Sequence, residues 1–215
     1  MTRTREWLIP LTGIAFVILG IVTFLVGGEP KSADEPVREI VDHYVDNKES
    51  IEAAAIIGVV ATLFLIFFGA YLRKVLHAGA PEEWLSLVSF AGLVVISIGL
   101  AIDSTIAFAL AESAEDIDPT AVQALQALWD NDFLPMMLGV LMFLWATGLS
   151  VLRHGVLPKW LGWVMVVLGV VGATPIGFVA ALGAAILVLV LGVLLSLRAR
   201  SAPTESDAPG SGLSA

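Results

Sequence analysis

The chain has no cysteine among its 215 residues, which removes disulfides, a thiolate nucleophile, thiolate-ligated zinc and iron–sulfur clusters and leaves the redox compartment open. Charge is scarce as well. Only 14% of residues are Asp, Glu, Lys or Arg, against 58% hydrophobic, and a water-soluble fold of that composition would expose large apolar patches. Soluble enzymes, nucleic-acid modules and wholly disordered chains are therefore excluded. Basic residues are the rarer sign, eleven Lys and Arg against twenty Asp and Glu, which argues against nucleic acid or anionic lipid headgroups as dominant partners. No G-x-S-x-G elbow, P-loop or G-x-G-x-x-G fingerprint occurs, so the known signatures of acyl transfer and nucleotide binding are missing.

What is present is a series of long apolar runs. A spanning helix needs about 20 apolar residues to cross a hydrocarbon core of about 30 Å, and residues 7–26, 53–72, 84–110 and 133–152 meet that length. The stretch from Trp160 to Leu197 is nearly twice too long for one crossing, and Thr174-Pro175-Ile176-Gly177 falls where a turn belongs. Dividing it gives crossings at 158–174 and 176–197, the first of them short. The expected fold is all-α: residues 1–200 form a transmembrane bundle of six helices in three hairpins, and 201–215, rich in Ser, Pro, Gly and Ala, form a disordered cytoplasmic tail.

Lys and Arg set the orientation, because basic loops stay cytoplasmic. Arg3, Arg5, Arg73, Lys74, Arg153, Lys159, Arg198 and Arg200 share one side, and only Lys31, Arg38 and Lys48 lie opposite. Both termini are then cytoplasmic. A cleaved signal peptide is the alternative for the N-terminus, but its apolar run exceeds a signal core.

The outward-going helices open alike, with Glu6-Trp7-Leu8, Glu83-Trp84-Leu85 and Lys159-Trp160-Leu161, and the inward-going ones close on Leu-Arg. Two readings fit: a threefold repeat of hairpins, or interfacial Trp and cytoplasmic Arg arising independently. Glycines recur every seven residues at Gly13, Gly20 and Gly27, at Gly92 and Gly99, and at Gly162 and Gly169. Such stripes admit close helix packing where lipid supplies no hydrophobic drive, here expected within the bundle; a homo-oligomer seam has no other support.

Two outer loops, 27–52 and 111–132, are too long for plain turns, and each is expected to hold an amphipathic helix. Ser32 to Glu35 has capping-box spacing before Pro36, with Val37, Ile40, Val41, Tyr44 and Val45 on one face. Asp118 caps and Pro119 starts the second, with Val122, Leu125, Leu128 and Trp129 as its stripe. Their other faces make an acidic outer cap of fourteen carboxylates against three cations.

Asp103 is the one ionisable residue well inside an apolar run, and such a residue is costly enough to be a functional candidate. Three roles are open: a structural hydrogen bond to a neighbouring helix or to the Trp129 indole, an ion or proton site, and a ligand contact. Asp130 and Asp132, flanking Asn131 before the fourth apolar run, serve either as a helix N-cap or, with Asp103 and His43, as an oxygen-rich pocket for a hard cation. His77 and His154 lie in loops across the membrane from His43, so the three histidines do not converge on one zinc. Ser86, Ser89, Ser97 and Thr147 lack a partnered His and are expected to bond to backbone or across helices. No catalytic residue, cofactor or metal is expected.

The segment Arg153-His154-Gly155-Val156-Leu157-Pro158-Lys159-Trp160-Leu161-Gly162-Trp163 resembles one that recurs in small bacterial, especially actinobacterial, polytopic integral membrane proteins of unknown function. The likeness extends to Val37 through Lys48, the Asp103 helix and Ala121 through Asp132. It implies a bacterial plasma membrane and carries over no catalytic or binding residues. The expectation is a non-catalytic binding or accessory component, with the bilayer and a membrane or extracytoplasmic protein as partners. The alternative is a small transporter or channel for a cation or apolar solute that uses Asp103.

Overall fold

The computed structural model describes residues 3–79 and 84–201, and every regular element among them is helical. A 3-10 turn, Arg3–Leu8, leads into α1 (Leu11–Gly27). Helix α2 (Val37–Asp46) lies in the first long loop, followed by α3 (Lys48–Gly79) and α4 (Leu85–Ser113). Helix α5 (Pro119–Trp129) lies in the second loop, before α6 (Phe133–His154), α7 (Lys159–Gly172) and α8 (Phe178–Ser201). Five segments are long and apolar enough to cross a membrane: Glu6–Gly27, Lys48–Gly79, Leu85–Ser113, Pro119–His154 and Phe178–Ser201. Helix α7 is apolar but has only 14 residues, about 21 Å at 1.5 Å per residue. It is shorter than the segment 158–174 expected for it.

The six apolar helices close a ring in chain order. Helix α1 packs on α3, α3 on α4, α4 on α6, α6 on α7, α7 on α8, and α8 returns to α1. The interior is filled by Leu65 and Phe68 of α3, Leu93 of α4, Phe143 of α6, Met165 of α7 and Leu191 of α8. The turn from α7 to α8 uses its own polar groups: Ala173 N–H reaches Val170 O, Thr174 N–H and hydroxyl reach Val171 O, and Gly177 N–H reaches Thr174 O. A turn so satisfied suits apolar depth, where water is absent.

Glycine makes the central seams. A Cβ on Gly92 would lie 2.6 Å from the Phe143 nitrogen, and one on Gly139 would lie 2.6 Å from the Gly92 carbonyl oxygen. Gly99 meets the Met136 backbone, and Gly162 and Gly148 face each other's carbonyls. These stripes therefore pack inside the bundle, with Gly139 and Gly148 of α6 as partners that heptad spacing alone does not reveal. The α4–α6 seam also holds the buried pair Ser89 and Thr147, hydroxyl to hydroxyl at 2.7 Å. Ser97 bonds back to Leu93 O at 2.9 Å.

One end of the ring is basic. Lys74 Nζ meets Glu6 Oε2 at 3.0 Å, Arg200 lies 4.0 Å above the Trp7 ring, and Arg198 Nη1 donates to Val156 O at 2.6 Å. Trp84 and Trp160 are exposed there, as interfacial rings would be. The expected tail lies outside the described residues apart from Ser201, which ends α8.

Several boundaries differ from expectation. Helix α1 begins at Leu11, inside the apolar run expected from Trp7, with Pro10 at its N-cap. Helix α3 begins at Lys48, so the last part of the outer loop is already helical. Ser32 and Glu35 do bond, Ser32 N–H to Glu35 Oε1 at 3.2 Å, but they close a turn ahead of α2. The helix starts after Pro36, whose ψ of 129° is extended.

Candidate functional site

The acidic end carries a second, smaller core. Ile40 and Tyr44 of α2 and Val122 of α5 pack with Ile51 at the start of α3 and Leu110 and Ala111 at the end of α4. The two loop helices thus form a cap fixed to the bundle. The expected stripes are only partly buried, since Val45 and Leu128 are exposed.

The residue that sequence reasoning missed is Gln126. It lies one helical turn beyond Val122 on the face that turns inward, and it is fully buried. Its Oε1 accepts the Tyr44 hydroxyl at 2.7 Å, and its Nε2 donates to Lys31 O at 2.7 Å and Asp130 Oδ1 at 2.9 Å. Asp130 Oδ2 accepts the Ala33 N–H at 2.8 Å, and Gln123 Nε2 donates to Ala33 O at 3.0 Å. Residues 31–33, α2 and α5 are thereby clamped around one amide. Burial first, then the charges of Asp130 and Asp103, holds the Tyr44 phenol above its ordinary range, so it remains a donor.

Beneath the cap lies a cavity of about 360 Å³ between α1, α3 and α4, with His43 and Tyr44 of α2 and Trp129 of α5 on its outer side. Phe24, Ala54 and Leu100 contribute apolar wall, and Thr23, Asp103 and Ser104 contribute polar groups. Thr23 is occupied with Leu19 O at 3.0 Å. Asp103 has no hydrogen bond or ion pair with any described residue. The Trp129 Nε1–H is buried and has no partner among them. The Asp103–Trp129 bond, one of the roles open to Asp103 in the sequence, is not formed, although both residues line this cavity.

Of the four candidate residues, the structure brings Asp103 and His43 to one cavity. It removes Asp130, whose two oxygens serve the clamp. Asp132 occupies the N-cap position of α6 without a capping bond. Its backbone, φ −79° and ψ 1°, continues the turn out of α5 instead of adopting the extended form from which a carboxylate reaches back. Asp118, with ψ 131°, does adopt that form and accepts the Thr120 N–H at 2.8 Å. The Asp132 Oδ2 atom is buried without a hydrogen bond. Among the described residues no group of three His, Asp or Glu is placed to hold a metal ion, and of the four residues of the alternative oxygen-rich pocket only Asp103 and His43 line the cavity.

The three outer cations are paired: Lys31 with Glu35 at 2.8 Å, Arg38 with Asp42 at 3.9 Å, and Lys48 with Glu112 at 3.4 Å and Glu52 at 3.7 Å. Most of the cap's carboxylates have no such partner, so the cap is a source of negative potential.

Burial, and secondarily Lys31, lowers the His43 pKa below 6.5, against the opposing pull of Glu35 and Asp46. A histidine held neutral in the fold must bind its proton on unfolding first. The cap therefore has its full stability above pH 6.5 and loses part of it as pH falls below that value, where the unfolded chain takes up the proton that the folded one resists. Protection factors in α2, each exchange rate normalised to the intrinsic rate at its pH, are expected to fall between pH 7 and 5.5, and the increment should vanish in His43→Gln. An unchanged increment would place the titration elsewhere.

Compared with protein-family models, curated proteins and solved structures, the chain matches none of them.

Proposed function

We propose that this chain is a non-catalytic binding component of a bacterial plasma membrane, crossing it six times with both termini in the cytoplasm, and that its acidic outer cap covers a ligand cavity at Asp103. The carrying observation is the cavity itself, which the Asp103 carboxyl group lines together with Trp129, whose buried indole N–H has no partner among the described residues. Mostly apolar concavities with a few convergent polar groups are the usual form of small-molecule sites, and an ionisable residue in a spanning helix is retained for use. The concentration of Lys74, Arg198 and Arg200 at the opposite end supports the orientation. Closure of the ring by α7 supports a sixth crossing despite its length, because α6 and α8 flank it.

The test is native mass spectrometry of the chain extracted gently from its own membrane, alongside Gly20→Leu. Gly20 lines the cavity, and a Cβ there meets nothing within 4 Å, so the variant occupies the space without displacing protein. A stoichiometric small molecule on the native chain, lost in the variant, is the expected result. A bound protein with no small molecule would move the function to the acidic surface of the cap, and nothing bound to either chain would count against the reading.

A second reading, a transporter for a cation or apolar solute, is favoured by one observation. Leu100 lines both this cavity and a second one of about 370 Å³ within the bundle, which Phe16, Leu65, Phe143 and Val188 also line. The Leu100 side chain is thus shared by the wall of the outer cavity and that of the apolar inner one. In liposomes, transport should then fall to background in Asp103→Asn; undiminished flux would remove Asp103 from the pathway.

A further inference from the structure

The cavity beneath the cap has a chemical bias of its own. It is lined by one carboxyl group, Asp103, and by no Lys or Arg. Four aromatic rings, Phe24, His43, Tyr44 and Trp129, line the same cavity, and aromatic faces attract cations, most strongly when water is excluded. His43 does not compete as a charge, since its surroundings favour the neutral ring at pH 7. Tyr44 is committed as a donor to Gln126, so it presents its ring and no free hydroxyl hydrogen. The Trp129 indole N–H, in a cavity that the Ser104 hydroxyl also lines, is buried without a partner among the described residues, and such a donor calls for an oxygen acceptor on the ligand.

Resting on the binding reading above, we infer that the cavity takes an organic monocation: an ammonium group for Asp103 and the rings, an apolar body for the walls, and an ether, ester or hydroxyl oxygen for Trp129. An inorganic divalent ion does not suit it, because Asp103 is the only carboxylate lining the cavity and hard cations collect six or more oxygens. An anion meets no compensating charge. A neutral oil would fill the walls and leave both polar groups as they are. The carboxylates of the cap lie on the outer approach, where they raise the local concentration of a cation.

The same ammonium chemistry comes free in solution or on a lipid headgroup, and the experiment separates the two. The full chain is placed in phosphatidylglycerol nanodiscs and titrated with benzoylcholine and with neohexyl benzoate, the ester in which carbon replaces the charged nitrogen. One benzoylcholine per chain is expected, with the neutral ester at least about tenfold weaker, as for loss of one member of a desolvated charge pair. Asp103→Asn should bring benzoylcholine down to the neutral ester's affinity and leave that ester unchanged. Asp103→Glu, which restores the charge, should recover most of the difference, and Gly20→Leu should weaken both ligands. Adding phosphatidylcholine to the nanodiscs and finding competition that depends on Asp103 assigns the cation to a headgroup, and no competition assigns it to solution.

Equal affinities for the two esters, with both lost in Gly20→Leu, overturn the cation inference while leaving the cavity as a binding site. Absence of binding by either ester also overturns the inference. The bound-mass measurement on the native chain then decides separately whether the site reading stands.

Discussion

Replacing Gly139 by alanine is expected to unfold the α4–α6 seam, with a loss of about 1–3 kcal/mol or more from a single methyl group. The added Cβ would lie 2.6 Å from the Gly92 carbonyl oxygen and 2.6 Å from the Ile96 nitrogen. Both obstacles are backbone, so no side-chain rotation relieves them and the helices must separate. Separation also opens the Ser89–Thr147 hydroxyl pair and uncovers Phe143, which is fully buried. Dispersion contacts made at close approach are the main association force between helices in lipid. Thermal unfolding of the purified chain in detergent is the measurement, with Gly20→Ala as the companion. Gly20 belongs to a stripe of the same spacing but has open space around its Cβ position, so the companion should unfold like the native chain. Equal stability of the two variants would mean that α4 and α6 do not pack through glycine.

Gln126→Leu is expected to release the outer cap while leaving the bundle folded. Leucine is close to glutamine in volume but makes none of its three hydrogen bonds, and it leaves the Tyr44 hydroxyl and the Lys31 carbonyl without their partner in a water-poor place. A buried polar group so orphaned costs about 1–3 kcal/mol, a large part of what a core as small as that of α2 and α5 supplies. Hydrogen exchange resolves this by region. Protection should fall in α2, in α5 and in residues 31–33, while α3 and α6 keep theirs, because the cap core and the bundle core are separate clusters. Tyr44→Phe removes one of the same bonds and should show a smaller loss that does not add to that of Gln126→Leu. Uniform loss of protection across the chain would contradict a clamp local to the cap.

Membrane-crossing character was legible in the sequence because lipid imposes a length and composition on each helix that no soluble fold requires. The turn at Thr174 to Gly177 was legible for the same reason: an apolar run of twice the bilayer thickness must break, and Pro175 marked where. The glycine stripes pointed to close packing, since small residues at fixed spacing have few other uses in lipid. Their partners did not emerge, because Gly139 and Gly148 are chosen by the crossing point of two helices and not by a period within one.

The cap was half legible. Ile40, Tyr44 and Val122 follow the helical period of a buried face, but that period treats a glutamine as solvent-facing, and Gln126 is buried because three partners from distant segments converge on it. No local pattern records such convergence. Asp103 was singled out by depth alone, and its neighbours on the cavity required the fold, since Phe24, His43 and Trp129 come from separate helices. Asp130 and Asp132 have like surroundings in sequence and unlike roles in space: backbone direction gave one to the clamp and left the other without a hydrogen bond.

Absence of cysteine offers the most direct test of a cation-selective cavity open to the outer side. Ala107 lines that cavity, and Ala107→Cys would carry the sole thiol in the chain. Its modification is followed in oriented vesicles with a trimethylammonium methanethiosulfonate and with the sulfonate analogue, each rate divided by that for a free thiol. Faster reaction with the cationic reagent from the extracytoplasmic side, with the preference lost on adding Asp103→Asn, is the result expected. Equal corrected rates, or modification only from the cytoplasmic side, would contradict it.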